Sequence, residues 1–293
     1  MQFGSLSIEL LETGDFALDG GAMFGVVPKN LWQKAYHAPD EQNRIPMKAR
    51  CLLIRGNIGG KERTILIDTG NGEKFPPKLA EIYKIDTTRF RLETSLARFN
   101  VKPDDVSDVI LTHLHFDHAG GATRFDEAGK PVPTFPNARH YVQKEQLCWA
   151  RNPADKDRAS FMNADFEPLA SGGMLEELDG AGTLFTGAVT EIAVMTLFGH
   201  TTAMQAVKIS TEAGVLFFGA DLFPTSAHVA VPYVMGYDNF PLTTIEEKKS
   251  ILPQAVEEAW TLVFEHDGFT QAAKIAHTEK GFMKGENVTI TRW

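Results

Sequence analysis

The sequence predicts an α/β fold, an αββα sandwich in which two mixed β-sheets pack face to face between flanking helices. Three observations predict it. Short β-branched or apolar runs alternate with helical stretches in both halves of the chain, a pattern that builds sheets covered by helices. Several of these runs end close to a histidine or aspartate, which lines polar chemistry along strand ends. The 293 residues, 43% hydrophobic and 23% charged, have the composition of a globular protein with a large core. Length alone allows about two domains. With no repeat, low-complexity run or clear linker, residues 1–293 read as a single domain, in which 1–48 form an N-terminal extension that lines a pocket or an interface.

The elements follow in order. Ser5–Leu11 and Ala49–Arg55 are apolar runs bounded by turn residues and read as strands. The second enters a hairpin whose turn is Gly56–Lys61, and the returning strand Arg63–Asp68 stops at Thr69-Gly70, where glycine permits a sharp change of direction. Residues 89–99 place Phe90, Leu92, Leu96, Ala97 and Phe99 loosely on one helical face. Val106–Thr112 is a strand, Arg124–Asn137 a loop rich in Gly, Pro and charge, and Arg139–Val142 a strand leading into a helix through Trp149. Residues 151–180 carry no clear period. Strands return at Glu191–Phe198, Met204–Ser210 and Gly214–Gly219. Thr243 and Glu246 have capping-box spacing at the start of a helix towards Trp260, with Pro253 kinking it or opening a second one. A final strand, Leu262–Glu265, delivers His266.

Charge and composition remove several classes of function. With 38 acidic against 29 basic side chains the net charge is −9, which argues against a sequence-blind nucleic-acid surface. No stretch approaches the roughly 20 apolar residues that span a bilayer, and the start MQFGSLSIELLETGDF has neither a basic nor an apolar signal region. The chain therefore reads as cytoplasmic, with no membrane partner. Two cysteines, Cys51 and Cys148, are too few for a disulfide framework. Small-molecule chemistry moves forward.

The segment His113-x-His115-x-Asp117-His118 carries that chemistry. It sets three imidazoles and one carboxylate within six residues directly after an apolar strand, a density that would destabilise a core unless the groups were used. Nitrogen and oxygen donors without thiolate suit Zn, Fe, Mn or Co in a reactive centre rather than a structural zinc site. His200, Asp221 and His266 recur at later strand ends. Taken singly, each has a bland reading as a turn former or a hydrogen-bonded core residue. Taken together, they point to a metal centre.

This pattern resembles the metallo-β-lactamase-fold hydrolases over residues 63–267, through Asp68-Thr-Gly70, Thr112–Gly121, Gly199-His200, Gly219–Asp221 and Glu265–Asp267. The resemblance implies that His113, His115 and His200 hold one metal, that Asp117, His118 and His266 hold a second, and that Asp221 bridges them. It implies two divalent ions, zinc by default, with Fe, Mn or Co accepted by the same donors. Asp68 either closes a turn or, as the resemblance implies, orients the ligand loop. Phe116 in the motif and Phe24 in Asp19–Gly25 are expected in the substrate wall, against the commoner use of aromatic rings in the core. His228, in Pro224–Pro232, is expected to face the metal pocket, against a structural reading.

The expected reaction is hydrolysis. A metal-bridging hydroxide attacks the carbonyl of a small ester or lactone, and Asp117 orients the nucleophile or moves its proton to the leaving group. Within the family the chain looks most like the branch of acyl-homoserine-lactone lactonases and organophosphate hydrolases. It departs from that branch at Pro224, where the lactonases carry a tyrosine, so a hydroxyl donor is missing there. Glyoxalase II-like thioester hydrolysis and phosphotriester hydrolysis remain alternatives, although the 27 residues after His266 are too few for the glutathione-binding domain of the former. Charge disfavours a nuclease, and His115 disfavours the flavodiiron branch, which has glutamate there. A non-catalytic metal-containing ligand-binding protein is the alternative of another class. The stretch Met23–Trp32 is expected to cover the pocket or to pack on a second subunit in a homodimer.

Overall fold

The alternation of apolar side chains along the central strands sets the layers. A computed structural model describes residues 1–292. Its strands are β1 (Gln2–Phe3), β2 (Leu6–Asp19), β3 (Arg44–Ile58), β4 (Lys61–Ile67), β5 (Asp108–Ile110), the two-stranded ribbon β6 (Thr123–Phe125) and β7 (Pro131–Pro133), β8 (Arg139–Gln143) and β9 (Leu175–Leu178). They continue with β10 (Gly182–Thr186), β11 (Glu191–Leu197), β12 (Met204–Thr211), β13 (Gly214–Phe218), β14 (Thr261–Val263), β15 (Ala272–Thr278) and β16 (Gly281–Val288). One sheet has the order β1-β2-β3-β4-β5-β8-β9 and the other β10 to β16 in sequence. Because side chains alternate between faces, Leu52, Ile54, Ile65 and Ile67 enter the interior shared by the two sheets. Leu53 and Leu66 point the other way, into an outer layer with Leu96, Leu147, Phe166 and Leu169.

Those last four residues belong to the helices α4 (Leu92–Ala97), α6 (Lys144–Arg151) and α7 (Asn163–Ser171). The remaining helices are α1 (Gly20–Phe24), α2 (Lys29–Ala35), α3 (Pro77–Ile82), α5 (Phe116–Ala119) and α8 (Pro241–Glu257). On the second sheet α8 contributes Ile251, Leu252 and Ala255 to the shared core. The result is the αββα sandwich that the strand pattern predicts.

Several boundaries differ from the sequence reading. The hairpin turn is only Gly59-Gly60, with φ of 62° and 82°, a two-residue turn whose twist matches that of the flanking strands. The helix expected over 89–99 shortens to α4. Thr243 does not cap α8: the helix begins at Pro241 after Phe240 and runs unbroken past Pro253, since proline at the first helical position presets the backbone. The supposed loop 124–137 contains most of the β6–β7 ribbon, and residues 151–180 supply α7 and β9. Leu262–Glu265 is not the last strand, because β15 and β16 follow as an antiparallel hairpin. Cys51 and Cys148 are free. Among the described residues no helix is long and apolar enough to cross a membrane.

Two features build the ground under the motif loop. Gly72 (φ +66°) and Gly120 meet backbone to backbone, and a Cβ on Gly72 would lie 2.2 Å from the Gly120 carbonyl oxygen, so only glycine fits. Lys74 reaches under the same loop, donating to the carbonyls of Gly120 and Thr123 and pairing at 3.1 Å with Asp165. Residues 1–48 are woven into this frame: β2 pairs with β3 along its whole length, from Ser7↔Arg55 to Asp19↔Arg44.

Candidate metal centre

Parallel pairing gathers the chemistry at one edge of the sandwich. β4 and β5 run parallel with Ile67 opposite Ile110, and β13 and β14 run parallel with Phe218 opposite Val263. The chain leaves the first pair at Asp68 and at Thr112-His113, and the second at Asp221 and His266. His200 follows β11, and α5 opens just after His115, turning Asp117 and His118 inward. Asp68 itself has φ of 57°, a left-handed conformation that aspartate tolerates better than most residues.

The seven residues expected as ligands converge. His115 Nδ1 lies 3.0 Å from His113 Nε2 and 3.1 Å from His200 Nε2. In a second group His118 Nε2 and His266 Nε2 are 3.1 Å apart, with Asp117 Oδ1 at 3.9 Å from the former and Oδ2 at 3.7 Å from the latter. Asp221 reaches both groups, Oδ2 at 3.2 Å from His200 Nε2 and Oδ1 at 3.2 Å from His266 Nε2. All seven are buried.

The outer nitrogens decide what the inner ones offer. His200 Nδ1 faces Asp238 Oδ1 at 3.0 Å, and His266 Nδ1 faces the Lys48 carbonyl at 3.0 Å. His118 Nδ1 lies 3.0 Å from Asp68 Oδ2 and 3.1 Å from Glu265 Oε2. His113 Nδ1 donates to Thr112 Oγ1 at 3.0 Å, because that hydroxyl gives its own proton to Asp68 Oδ2 at 2.6 Å. With a proton on each Nδ1, four Nε2 atoms present lone pairs to the centre. Two of them, on His118 and His266, face each other. Lone pairs so placed repel unless positive charge lies between them.

The carboxylates strengthen that demand. Burial opposes protonation of His266, but Asp221 and Glu265 outweigh it and push the imidazole up to about 9. His118 and His200 are raised in the same way against their burial, by Glu265, Asp117 and Asp221 and by Asp221 and Asp238 respectively. His113 and His115 go the other way, well below the usual imidazole range, through burial and neighbouring imidazoles. Five imidazoles and two carboxylates without thiolate suit borderline divalent cations, so the donor set fits the metals expected from the motif.

Two acidic partners escaped the sequence reading. Asp238 sits in a loop far from any motif, and in the sequence Glu265 simply closes an apolar run that reads as a strand. Glu265 is fully buried, with no hydrogen bond to either carboxylate oxygen among the described residues beyond its contact with His118. Only its position directly before His266 hinted at this.

A cavity of about 290 Å³ opens over the centre, lined on its apolar side by Leu18, Met23, Met47, Phe116 and Met235. Asp117 and Asp221 reach it, together with His115, His200 and His266. Phe24 and His228 do not line it. Phe24 stacks on Trp32 at 5.4 Å and on His228 at 4.7 Å, one layer behind Met23. Both nitrogens of His228 are occupied, Nδ1 with Thr225 Oγ1 and Nε2 with the Met23 carbonyl. Burial and nearby Lys248 push this ring down to about 4, so it is a neutral brace for the wall rather than a group within the cavity.

Residues 45–266 match the family model of the Metallo-beta-lactamase superfamily. The chain belongs to this superfamily. An N-acyl homoserine lactonase of Bacillus cereus is 27% identical over 238 residues, which cover 77% of this chain and 83% of that one. Among solved structures, a probable metal-dependent hydrolase from Staphylococcus aureus superposes with a TM-score of 0.84 at 28% identity, over 99% of this chain and 100% of that one. AidC, a dizinc quorum-quenching lactonase, shares the fold at a TM-score of 0.78 and 19% identity, over 99% and 97% of the two chains. The superfamily member described here is thus a metallohydrolase-fold protein with lactonase homologues and a His/Asp cluster suited to metal.

Proposed function

We propose that the protein is a dinuclear metal-dependent hydrolase of small carbonyl esters, with lactones as the first class to test. The observation that carries this reading is the convergence of imidazole lone pairs on Asp221, closed on the outside by Asp68, Glu265, Asp238 and the Lys48 carbonyl. His113, His115 and His200 would hold one ion and Asp117, His118 and His266 the other, with Asp221 between them. Divalent ions bound there, zinc by default, lower the pKa of water towards neutrality and polarise a carbonyl oxygen.

The chain's own residues supply the rest. Leu18, Met23, Met47 and Phe116 exclude water from one side of the cavity, which strengthens every charge interaction inside it. Asp117, at the edge of the cavity and between two imidazoles, is placed to hold or pass on the proton that hydrolysis releases towards the leaving group. The lactonase relatives point to a cyclic ester, and cavity size favours a small substrate. Metal-loaded protein assayed against lactones, aryl esters, thioesters and phosphotriesters tests the proposal. Turnover of a carbonyl ester that disappears with chelation is expected. Full activity after complete metal removal would end the reading, and a protein holding two ions per chain yet inert to every class would favour a ligand-binding role.

Asp68→Asn tests the outer support separately. Its carboxylate accepts the Thr112 amide at 2.7 Å and the Thr112 hydroxyl, besides facing His118, so the amide variant breaks the charge and part of the bonding. Metal affinity, measured by competition with a chromogenic chelator, is expected to fall about 10–100-fold. An unchanged affinity would reduce Asp68 to a turn former.

A further inference from the structure

The cavity wall holds two phenols that neither the motif nor the fold requires. Pro224 stands where a tyrosine is expected from the resemblance, and its role is structural: its carbonyl accepts the His266 amide at 2.9 Å. The hydroxyl missing there has a replacement from other parts of the chain. Tyr83, just beyond α3, and Tyr237, in the loop before α8, both line the cavity over the centre. Among the described residues neither hydroxyl has a protein partner.

Both residues pack against the apolar cluster around Met23 and Phe24. Tyr83 stacks on Phe116 of the motif loop at 5.1 Å and 18°. The Tyr237 carbonyl accepts from Lys156 Nζ at 2.7 Å, and the next residue is Asp238, whose carboxylate binds both His200 and the Met235 amide. The Tyr237 backbone is thereby fixed to the same framework that aims His200. Burial, followed for Tyr83 by Asp117 and for Tyr237 by Tyr83, Asp19 and Asp117, pushes both phenols up. They stay protonated at neutral pH and can only donate to an incoming anionic oxygen. Of the other polar residues that line the cavity beside the cluster, Asp157 is an acceptor already used by Trp149 Nε1 and Asn239 Nδ2, Lys156 Nζ is bonded to the Tyr237 carbonyl, and Ser160 lies with them.

We propose that Tyr237, with Tyr83 beside it, is the hydroxyl donor of this site, its O–H bonding to the substrate carbonyl oxygen as that oxygen takes up charge. The step is a hydrogen bond only: no proton leaves the phenol. It rests on the hydrolase reading above, and it assigns a donor role to residues outside the family motif.

The test uses zinc-loaded full-length protein and the best ester of the panel. Tyr237→Phe is expected to lower kcat about 100-fold, as removal of an oxyanion donor does elsewhere, with KM within about threefold of wild type by the same logic of charge-specific bonding. Tyr83→Phe should lose less. Zinc content and melting temperature should not move. A kcat within about twofold of wild type, or a loss that tracks loss of zinc, overturns the assignment. Hexanoate binding, followed by calorimetry, gives a second readout independent of turnover, since its carboxylate offers anionic oxygens to the same donors. Tyr237→Phe is expected to weaken it about tenfold. Equal binding by variant and wild type, or none by either, overturns the donor role. If hexanoate discriminates but no ester turns over, the hydrolase reading fails while the donor stands.

Discussion

Asp221→Ala is expected to leave the protein folded, with no more than about one metal ion per chain, and to reduce ester turnover by at least about a thousandfold. The carboxylate lies 3.2 Å from a nitrogen of each ligand group, and both of its oxygens face the centre. Alanine removes a negative charge that offsets the mutual repulsion of two cations, leaving Asp117 as the one carboxylate among five imidazole donors. Losing an outer hydrogen-bond partner of a ligand costs about 10–100-fold in affinity, and losing a shared ligand should exceed that. Elemental analysis of dialysed protein reads the stoichiometry, and steady-state assays read the rate. Two ions per chain with near wild-type turnover would contradict the two-ion assignment. The fold should survive because Asp221 follows a strand whose packing rests on Leu216, Phe217 and Phe218.

Lys74→Met carries the largest expected effect on stability. The Lys74 and Asp165 side chains are only 3% and 2% exposed. Burial pushes the lysine down and the aspartate up, each opposed by the other's charge. Methionine keeps the volume but strands a buried carboxylate and removes the donor from the Gly120 and Thr123 carbonyls. Breaking one half of a buried pair costs about 3–5 kcal/mol. At about 2–4 °C per kcal/mol for a large domain, the melting temperature should fall by roughly 10 °C. Because Gly120 closes the motif loop, metal affinity should fall with it. The double variant Lys74→Met/Asp165→Leu should recover much of the loss, since no charge is then left unpaired. A single-variant melt within about 2 °C of wild type would mean that water reaches the pair.

Local signals make the motif loop legible in the sequence. Three histidines and an aspartate directly after a strand have few uses other than metal, and strand ends are readable from where apolar runs stop. The partners of those ligands were hidden for a physical reason. A hydrogen bond from His200 to Asp238, or from His118 to Glu265, needs only one acidic residue at the right place in space, and acidic residues are common in any sequence. Phe24 and His228 failed as wall residues for a related reason: adjacency to Met23 in sequence, or to Asp221, does not say which layer a side chain occupies. Periodicity also missed the β15–β16 hairpin, where partly exposed strands carry a weak apolar alternation.

By itself the sequence determined the donor types, their attachment to strand ends and the layered α/β class, because each depends on residues near one another along the chain. Only the tertiary structure decided that Asp68 and His266 share one centre, which nitrogen of each imidazole turns inward, and that two phenols from distant loops stand over it. Parallel pairing of β4 with β5 and of β13 with β14 closes separations that no local pattern encodes. For His113, His118, His200 and His266 the bonds made by the outer nitrogens, not the order of the residues, then fix where the lone pairs point.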